Sequence, residues 1–497
     1  MHDTLTERAA DDRLPTPPST TDYLQFQALH RPAAIALINN GLHISYAEFY
    51  RDVTKFTRAM SELDLSRGSS AAIEADNLYL HWLLLLACEN LGITTASFLP
   101  GEPPDSRLLA CMDLVLCRQD LPDSSGRRIH KLSQAWLDQV QAQPTKTEDA
   151  RRIRLALGEI QRIKRSSGST GFPKVMAATR FTEETALQSY MLHEQFTRDS
   201  RFLITGQFTV NNIYGRSTTC MRLGATCIFD SRLGIADAIV AYEPTHVRLF
   251  QYQVKPILER LPPTYSKQRK LTVIMGAGPL SGELRQSLLA RLATDIAYSY
   301  SSNETRMIAA IDAAGLATAR PGIEVEVVDE KDDRVPFGQL GQIKIKSDAL
   351  FTRYIGEARA DEARLEGGWF YTGDAGIMIR PRQFKVVGRI DEVLNIGGMK
   401  MSPLFVEEEI VKESPVAILE TGVTSVVNPE GIEEICVAVV VAEGTDLKRL
   451  EEWLMTKYWL GKLHFAVVDQ IPRTESGKVQ RHRLRAMFEK QLTVAFS

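Results

Sequence analysis

The stretch Ser166-Ser167-Gly168-Ser169-Thr170-Gly171-Phe172-Pro173-Lys174, "SSGSTGFPK", crowds small hydroxyls and glycines ahead of a lysine. Glycines let a backbone turn so that several N–H groups point inward together, hydroxyls add donors, and a lysine adds charge, a combination suited to a phosphate group. The Walker-type loop needs lysine and then Ser or Thr directly after its second glycine, whereas Phe172 and Pro173 intervene here. Taken alone the stretch reads equally as a surface turn, so the rest of the chain has to decide.

Working outward, the chain of 497 residues is too long for one ordinary core. A prior of roughly 100–200 residues per domain allows several folding units. Its 59 basic and 62 acidic residues give a formal charge of -3, so no net positive field draws it to nucleic acid or acidic lipid. The six cysteines show no C-x-x-C pairing and no histidines at zinc spacing, and read as buried thiols of a cytoplasmic protein. Residues 1–22, acidic and rich in Pro and Thr, lack the pattern of a secretory signal and read as a disordered leader. The apolar run Trp82–Leu99 is broken by Glu89 and Asn90, which excludes a membrane span and predicts a core helix running into a buried strand.

Helical patterns at Tyr46–Leu63 and His81–Leu91 alternate with short apolar runs, an α/β order. "TVIMGAGP" (Thr272–Pro279) predicts a buried strand ending in a Gly-rich turn, followed by a helix over Gly282–Leu292. Period-two alternation over Gly322–Lys346 predicts antiparallel strands. Helices at Pro403–Lys412 and Leu447–Tyr458 with strands near Val423–Val427 and Ile435–Val441 make a small α+β unit. The segment Thr145–Arg165 is charged, and Arg162, Lys164 and Arg165 are unusual where an apolar strand would normally lead into such a loop.

Four further stretches follow in order: "YSSNE" (Tyr300–Glu304), "GWFYTGD" (Gly368–Asp374), "GRIDEVLNIGGMKMSP" (Gly388–Pro403) and "IPRTESGKVQR" (Ile471–Arg481). With the opening loop they resemble the adenylate-forming superfamily of acyl-CoA synthetases, nonribosomal-peptide adenylation domains and luciferases, with weaker echoes at Ile44–Asp52 and Leu86–Pro100. The resemblance implies an α/β fold with a large N-terminal domain of layered α/β subdomains plus a β-rich subdomain (23–390), then a small mobile α+β C-terminal domain (391–497). It implies ATP and Mg²⁺, a carboxylic acid as substrate, and CoA or a carrier-protein phosphopantetheine as thiol acceptor, in a monomer or homodimer.

By the same resemblance Ser166, Ser167, Gly168, Ser169, Thr170, Gly171 and Lys174 cradle the ATP phosphates and Glu304 helps to hold Mg²⁺. Gly276, Ala277, Gly278, Pro279 and Tyr300, with Ser301, Ser302 and Asn303 after it, border the adenine slot. Asp374 and Arg389 match the ribose contacts, Lys478 the mobile catalytic lysine, Asp391 the domain hinge, and Gly397 and Gly398 the thiol tunnel. Thr209, Asn211, Asn212 and Tyr252 are candidates for the acid pocket.

Some positions depart from the family pattern: Val175 replaces a glycine, Arg165 an aromatic, and Ser301 and Asn303 the Gly and Thr of "YGxTE". Amino-acid-activating relatives bind the ammonium with an aspartate in a Phe-Asp pair before a "GAT"-like strand. Here Phe229-Asp230 follows Gly224-Ala225-Thr226, and Gly206–Gly215 holds no acidic residue. A buried ammonium without a carboxylate is costly, which disfavours an α-amino acid. "GGMKMSP" is closer to acyl-CoA synthetases than to peptide-synthetase domains, so CoA is the expected thiol. A separate carrier protein, or a relative that binds without turnover, stays open as an alternative.

Overall fold

Helix Tyr46–Ser61 shows how local sequence sets an element and its burial. Ser45 accepts from the Glu48 N–H, and the Glu48 carboxylate accepts from the Ser45 N–H, a reciprocal cap. Tyr46, Phe49, Tyr50, Val53, Phe56, Ala59 and Met60 then fall three or four residues apart on one buried face. That face meets helix Leu78–Asn90, with Phe49 edge-on to Trp82 at 5.1 Å between centroids. The latter helix is apolar nearly all round and is buried accordingly, and its chain continues into the buried strand Thr94–Phe98, as its sequence predicts. Among the described residues no helix is long and apolar enough to cross a membrane.

The computed structural model describes residues 17–103, 106–119, 128–144, 152–165, 174–266, 270–276, 280, 282–347, 349–351, 353–355, 365–396, 399–428, 432–458, 462–473 and 479–495. Two large sheets dominate them. The larger has fourteen strands. In its parallel half, strands Asp295–Ser302, Thr272–Met275, His246–Leu249, Arg201–Leu203, Thr226–Phe229 and Ile35–Asn39 lie side by side. From Asp295–Ser302 onward the pairing turns antiparallel through Arg306–Ile311, Ala317–Ala319, Gln383–Arg389, Trp369–Arg380, Leu340–Ser347 and Ile323–Val328. The expected β-rich portion is therefore continuous with the α/β portion, joined at the strand that carries Tyr300.

The second sheet has seven strands. Its last two members, Ile160–Arg165 and Val175–Thr179, are antiparallel, and Arg353–Tyr354 extends the edge. In the first of these the basic residues noted as unusual in the sequence are buried: Ile163 packs with Phe98, Leu108 and Val175 on one face, while Arg162 and Lys164 are buried on the other. Beyond the short 3₁₀ turn Ile390–Glu392 come the hairpin Leu394–Ile396 with Met399–Met401, helix Pro403–Glu413, and a three-stranded sheet of Ile418–Val427, Glu433–Val441 and Leu463–Val467. These form a core of their own around Ile410, Val437 and Leu454. None of the six cysteines is in a disulfide, and five are buried.

At the N-terminal end, the last residues of the segment read as a disordered leader are ordered. Ser19 caps a helix over Thr20–His30, and Thr20 and Thr21 are buried. Asp22 accepts from Ser19 N at 2.7 Å, Arg152 Nη1 at 3.0 Å and Arg154 Nε at 3.0 Å. Burial pushes its carboxyl up, but the bonds from Arg154 and Ser19 outweigh this and hold it at about 2 against 3.8 unfolded. A depressed folded pKa stabilises above the unfolded value and is lost as pH falls. Asp22→Asn is therefore expected to lower the melting temperature by roughly 2 °C at neutral pH, a difference that closes between pH 3.8 and about 2.

Candidate nucleotide and acid site

Arg165 lies directly opposite Val175, so the hydroxyl-rich stretch falls in sequence between two paired strand residues. Ser166, Ser167, Gly168, Ser169, Thr170 and Gly171 fall outside the described residues, and Lys174 stands at the rim. Its Nζ lies 4.8 Å from the centroid of the Tyr354 ring, and the Tyr354 hydroxyl donates to Glu304 Oε1 at 3.0 Å. Tyr354 reaches this position because its short strand pairs with Met176, just past the loop. The Phe351 N–H also donates to the Glu304 carbonyl at 2.8 Å. One aromatic ring thus joins a cation and a carboxylate that lie far apart in sequence.

The departures from the family pattern have local explanations. Arg165 forks onto the buried Glu102 carboxylate, with Nη1 at 2.8 Å from Oε2, so its charge is compensated. Asn303 Nδ2 donates to the Arg165 carbonyl at 3.4 Å, tying the Glu304 turn to the base of the loop. Val175 is buried against Phe98 and Leu108.

A second group assembles on the antiparallel strands Trp369–Arg380 and Gln383–Arg389, where Asp374 and Arg389 face each other. Arg389 Nη1 reaches Asp374 Oδ1 at 3.1 Å and the Thr372 carbonyl at 3.0 Å, and Nε reaches Asp391 Oδ1 at 3.3 Å. The Tyr300 hydroxyl donates to Asp374 Oδ2 at 2.5 Å. Burial, then the Asp374 charge, pushes the Tyr300 phenol well above its ordinary range, so it stays a donor. Burial opposes the charge of Arg389, but Asp374 and Asp391 outweigh it and raise its pKa. Gly373 has φ of +72°, and a Cβ there would stand 2.4 Å from Arg389 Nη2, so the pair requires glycine. Both Asp374 oxygens carry one donor each, which leaves lone pairs for further hydroxyls.

Ser301 and Ser302 end the strand that carries Tyr300, and Ser302 Oγ lies 3.0 Å from Thr305 Oγ1. Gly276 follows strand Thr272–Met275, while Ala277, Gly278 and Pro279 lie outside the described residues. Thr209 precedes helix Asn211–Arg222, whose first turn holds Asn211, buried, and Asn212, whose Oδ1 is buried with no hydrogen-bond partner among the described residues. One turn on, Arg216 donates to the Asn212 carbonyl at 3.1 Å and grips the buried Glu194 carboxylate. Tyr252 is the second residue of helix Gln251–Arg260, and its side chain is outside the description. Asp230 is held by Arg232 and by the Tyr242 hydroxyl at 2.7 Å.

Gly397, Gly398 and Lys478 also lie outside the described residues. The first two stand between Ile396 and Met399, which pair, and the third next to Val479, which bridges to Arg473. Tyr354 and Thr372 were not singled out from sequence, since nothing in periodicity separates them from ordinary strand residues. Among the described residues no three His, Cys, Asp or Glu side chains gather as a metal cage. Glu304 offers a hard oxygen donor, which fits a magnesium ion held largely by substrate phosphates.

The family described as AMP-binding enzyme matches residues 24–355. The chain belongs to that family. This places it in the adenylate-forming superfamily that its motifs resemble, with an acyl-CoA synthetase-like pattern. Relatives of the AMP-binding enzyme include the 2-succinylbenzoate–CoA ligase of Bacillus pumilus, 23% identical over 94% of this chain and 97% of that one. The indoleacetate–CoA ligase of Aromatoleum aromaticum is 27% identical over 65% of this chain and 66% of its own length. In fold, the ATP-bound MatB of Rhodopseudomonas palustris superposes with a TM-score of 0.82 at 20% identity, covering 94% of this chain and 98% of that one.

Proposed function

We propose that this AMP-binding enzyme activates a carboxylic acid as its acyl-adenylate and passes the acyl group to a thiol, CoA. The observation that carries the reading is the meeting of Lys174 and Glu304 on Tyr354 at the rim of the hydroxyl-rich loop. In the first step a carboxylate oxygen bonds to the α-phosphorus of ATP, the bond to the β-phosphate breaks, and pyrophosphate leaves. Charge builds on phosphate oxygens, so catalysis is positioning plus electrostatic stabilisation. Loop hydroxyls and Lys174 cradle the polyphosphate, and Asp374, aimed by Tyr300 and Arg389, accepts from the ribose. Magnesium, when bound at Glu304, neutralises phosphate charge. Lys478 bridges the reacting carboxylate and α-phosphate. In the second step a thiol sulfur attacks the acyl carbonyl and AMP departs, with Asp391 as the hinge and Gly397 and Gly398 along the thiol path.

Asp230 supports exclusion of α-amino acids, since its carboxylate is already committed to Arg232 and Tyr242. The test is acid-dependent pyrophosphate release without thiol, across aryl, fatty, short-chain diacid and amino acids, followed by addition of CoA or a phosphopantetheinylated carrier protein. Release with one acid class and turnover on CoA is expected; silence across the panel with ATP still bound would leave a binding protein instead. Within the active system, Tyr354→Phe is expected to lower kcat about tenfold by removing a donor to the buried Glu304 carboxylate. A full-length kinetic comparison with unchanged kcat would dissociate Tyr354 from the reaction.

A further inference from the structure

The basic residues that lead into the loop are not solvated. Arg162, Lys164 and Arg306 are 3%, 3% and 5% exposed, and the described carboxylate among them is Glu183, itself buried. Lys164 Nζ is in contact with Glu183, and Arg306 Nη2 donates to both its oxygens at 2.9 and 3.1 Å. Arg162 lies over the Tyr214 ring at 4.4 Å and donates to the neutral hydroxyls of Ser97 at 3.0 Å and Thr95 at 3.4 Å. Among the described residues the Nε atoms of both Arg162 and Arg306 are buried with no hydrogen-bond partner. The charge of Arg162 reaches its neighbours: after burial it is the next influence lowering both Arg306 and the buried His81, which is held down to about 3 and so neutral. His81 adds another buried ring nitrogen, Nδ1, without a partner among the described residues.

A buried ion without an opposite charge is costly, and so is a buried donor without an acceptor. Here a cluster of cations exceeds its carboxylate at the junction of the two sheets, and the missing acceptors are those an anion supplies. The cluster adjoins the reactive groups. Lys164 is one residue before Arg165, which opens the loop, and Arg306 pairs with Ser302 across the turn that carries Glu304. Arg306 also holds φ of +64°, a strained setting for a side chain of its size.

We propose that Arg162, Lys164 and Arg306 form a buried site for a second carboxylate, the far end of a diacid whose near end is activated by ATP. The assignment rests on the acid-activating reading above and narrows its substrate class. A carboxylate there accepts from the two guanidinium Nε groups and compensates the surplus charge, whereas a monoacid leaves both deficits in place. A free small carboxylate has the same chemistry and is the competing source.

The test compares pyrophosphate release by the full chain with succinate, glutarate and phthalate against butyrate, pentanoate and benzoate. Diacids are expected to exceed their matched monoacids in kcat/KM by about tenfold or more, the worth of charge-assisted bonds to one buried carboxylate. Arg306→Met and Arg162→Met are expected to lower that ratio towards one. Should either variant fail to fold, the wild-type protein supplies a second readout: added acetate raises KM for the diacid and leaves that for the monoacid unmoved. Monoacids turned over as well as diacids would overturn the proposal. Acetate and succinate raising the melting temperature equally, without any rate preference, would assign the site to a free anion and overturn it too. Failure of every acid sinks the adenylation reading and this inference together, a result distinct from monoacid turnover alone.

Discussion

Lys478→Ala is expected to lower acid-dependent pyrophosphate release by about three orders of magnitude, the scale for deleting a charge aimed at a transition-state oxyanion. ATP affinity is expected to stay within about twofold, because that charge acts on developing rather than ground-state charge. The flanking backbone favours a clean outcome. Arg473 bridges to Val479, Gln480 N donates to the Pro472 carbonyl at 2.8 Å, and Arg473 is paired with Glu420 at 3.1 Å. Truncating a side chain beside so firmly anchored a bridge leaves the C-terminal core around Leu484 and Phe488 untouched. The discriminating arm is a synthetic acyl-adenylate given to the variant with CoA. Thioester formation near the wild-type rate confines Lys478 to the first step. Loss of both steps alike would mean that the substitution damages the C-terminal domain or that the lysine serves each reaction.

The hydroxyl-rich stretch and the segment before Lys478 share a setting that the sequence shows only in part. Each is set between strand residues that pair across its base, Arg165 with Val175 and Arg473 with Val479. Motif composition made both segments legible, because glycine, hydroxyl and lysine patterns are local. Elements with strong periodicity were legible for the same reason: Tyr46–Ser61 and Leu78–Asn90 have their faces written in consecutive residues. What escaped depends on contacts between distant segments. Tyr354 matters only because a two-residue strand lands beside Met176, and the burial of Arg162 and Lys164 follows from a sheet whose inner face meets Glu183 and Arg306. Charge in a sequence normally marks a solvated face, so Arg162 and Lys164, though unusual before such a loop, give no sign in the sequence of their buried partners. Similarly Tyr300 suggested a flat surface for a base, whereas its hydroxyl is aimed at Asp374.

That aimed carboxylate has the other large expected effect. Asp374→Ala removes the acceptor shared by the Tyr300 hydroxyl and Arg389, and leaves the Arg389 guanidinium, 24% exposed, bonded to Asp391 and the Thr372 carbonyl. The cost has two parts: loss of the acceptor for the ribose hydroxyls, and loss of the geometry that Arg389 and Tyr300 impose on strand Trp369–Arg380. Hydrogen bonds to a charged group are each worth about 1.5–3 kcal/mol, so KM for ATP is expected to rise roughly 10²-fold, with a smaller fall in kcat because the ribose does not react. Asp374→Asn separates the parts. It keeps an oxygen for Arg389 but gives up the charge and one acceptor face, and is expected to fall between wild type and alanine in KM while retaining the melting temperature. A 2′-deoxy analogue of ATP supplies the deciding comparison. If Asp374 binds the ribose, the wild-type preference for ATP over the analogue shrinks in Asp374→Ala, because the hydroxyl has lost its acceptor. A preference that survives the substitution intact would place the ribose elsewhere and reduce Asp374 to a strut for Arg389.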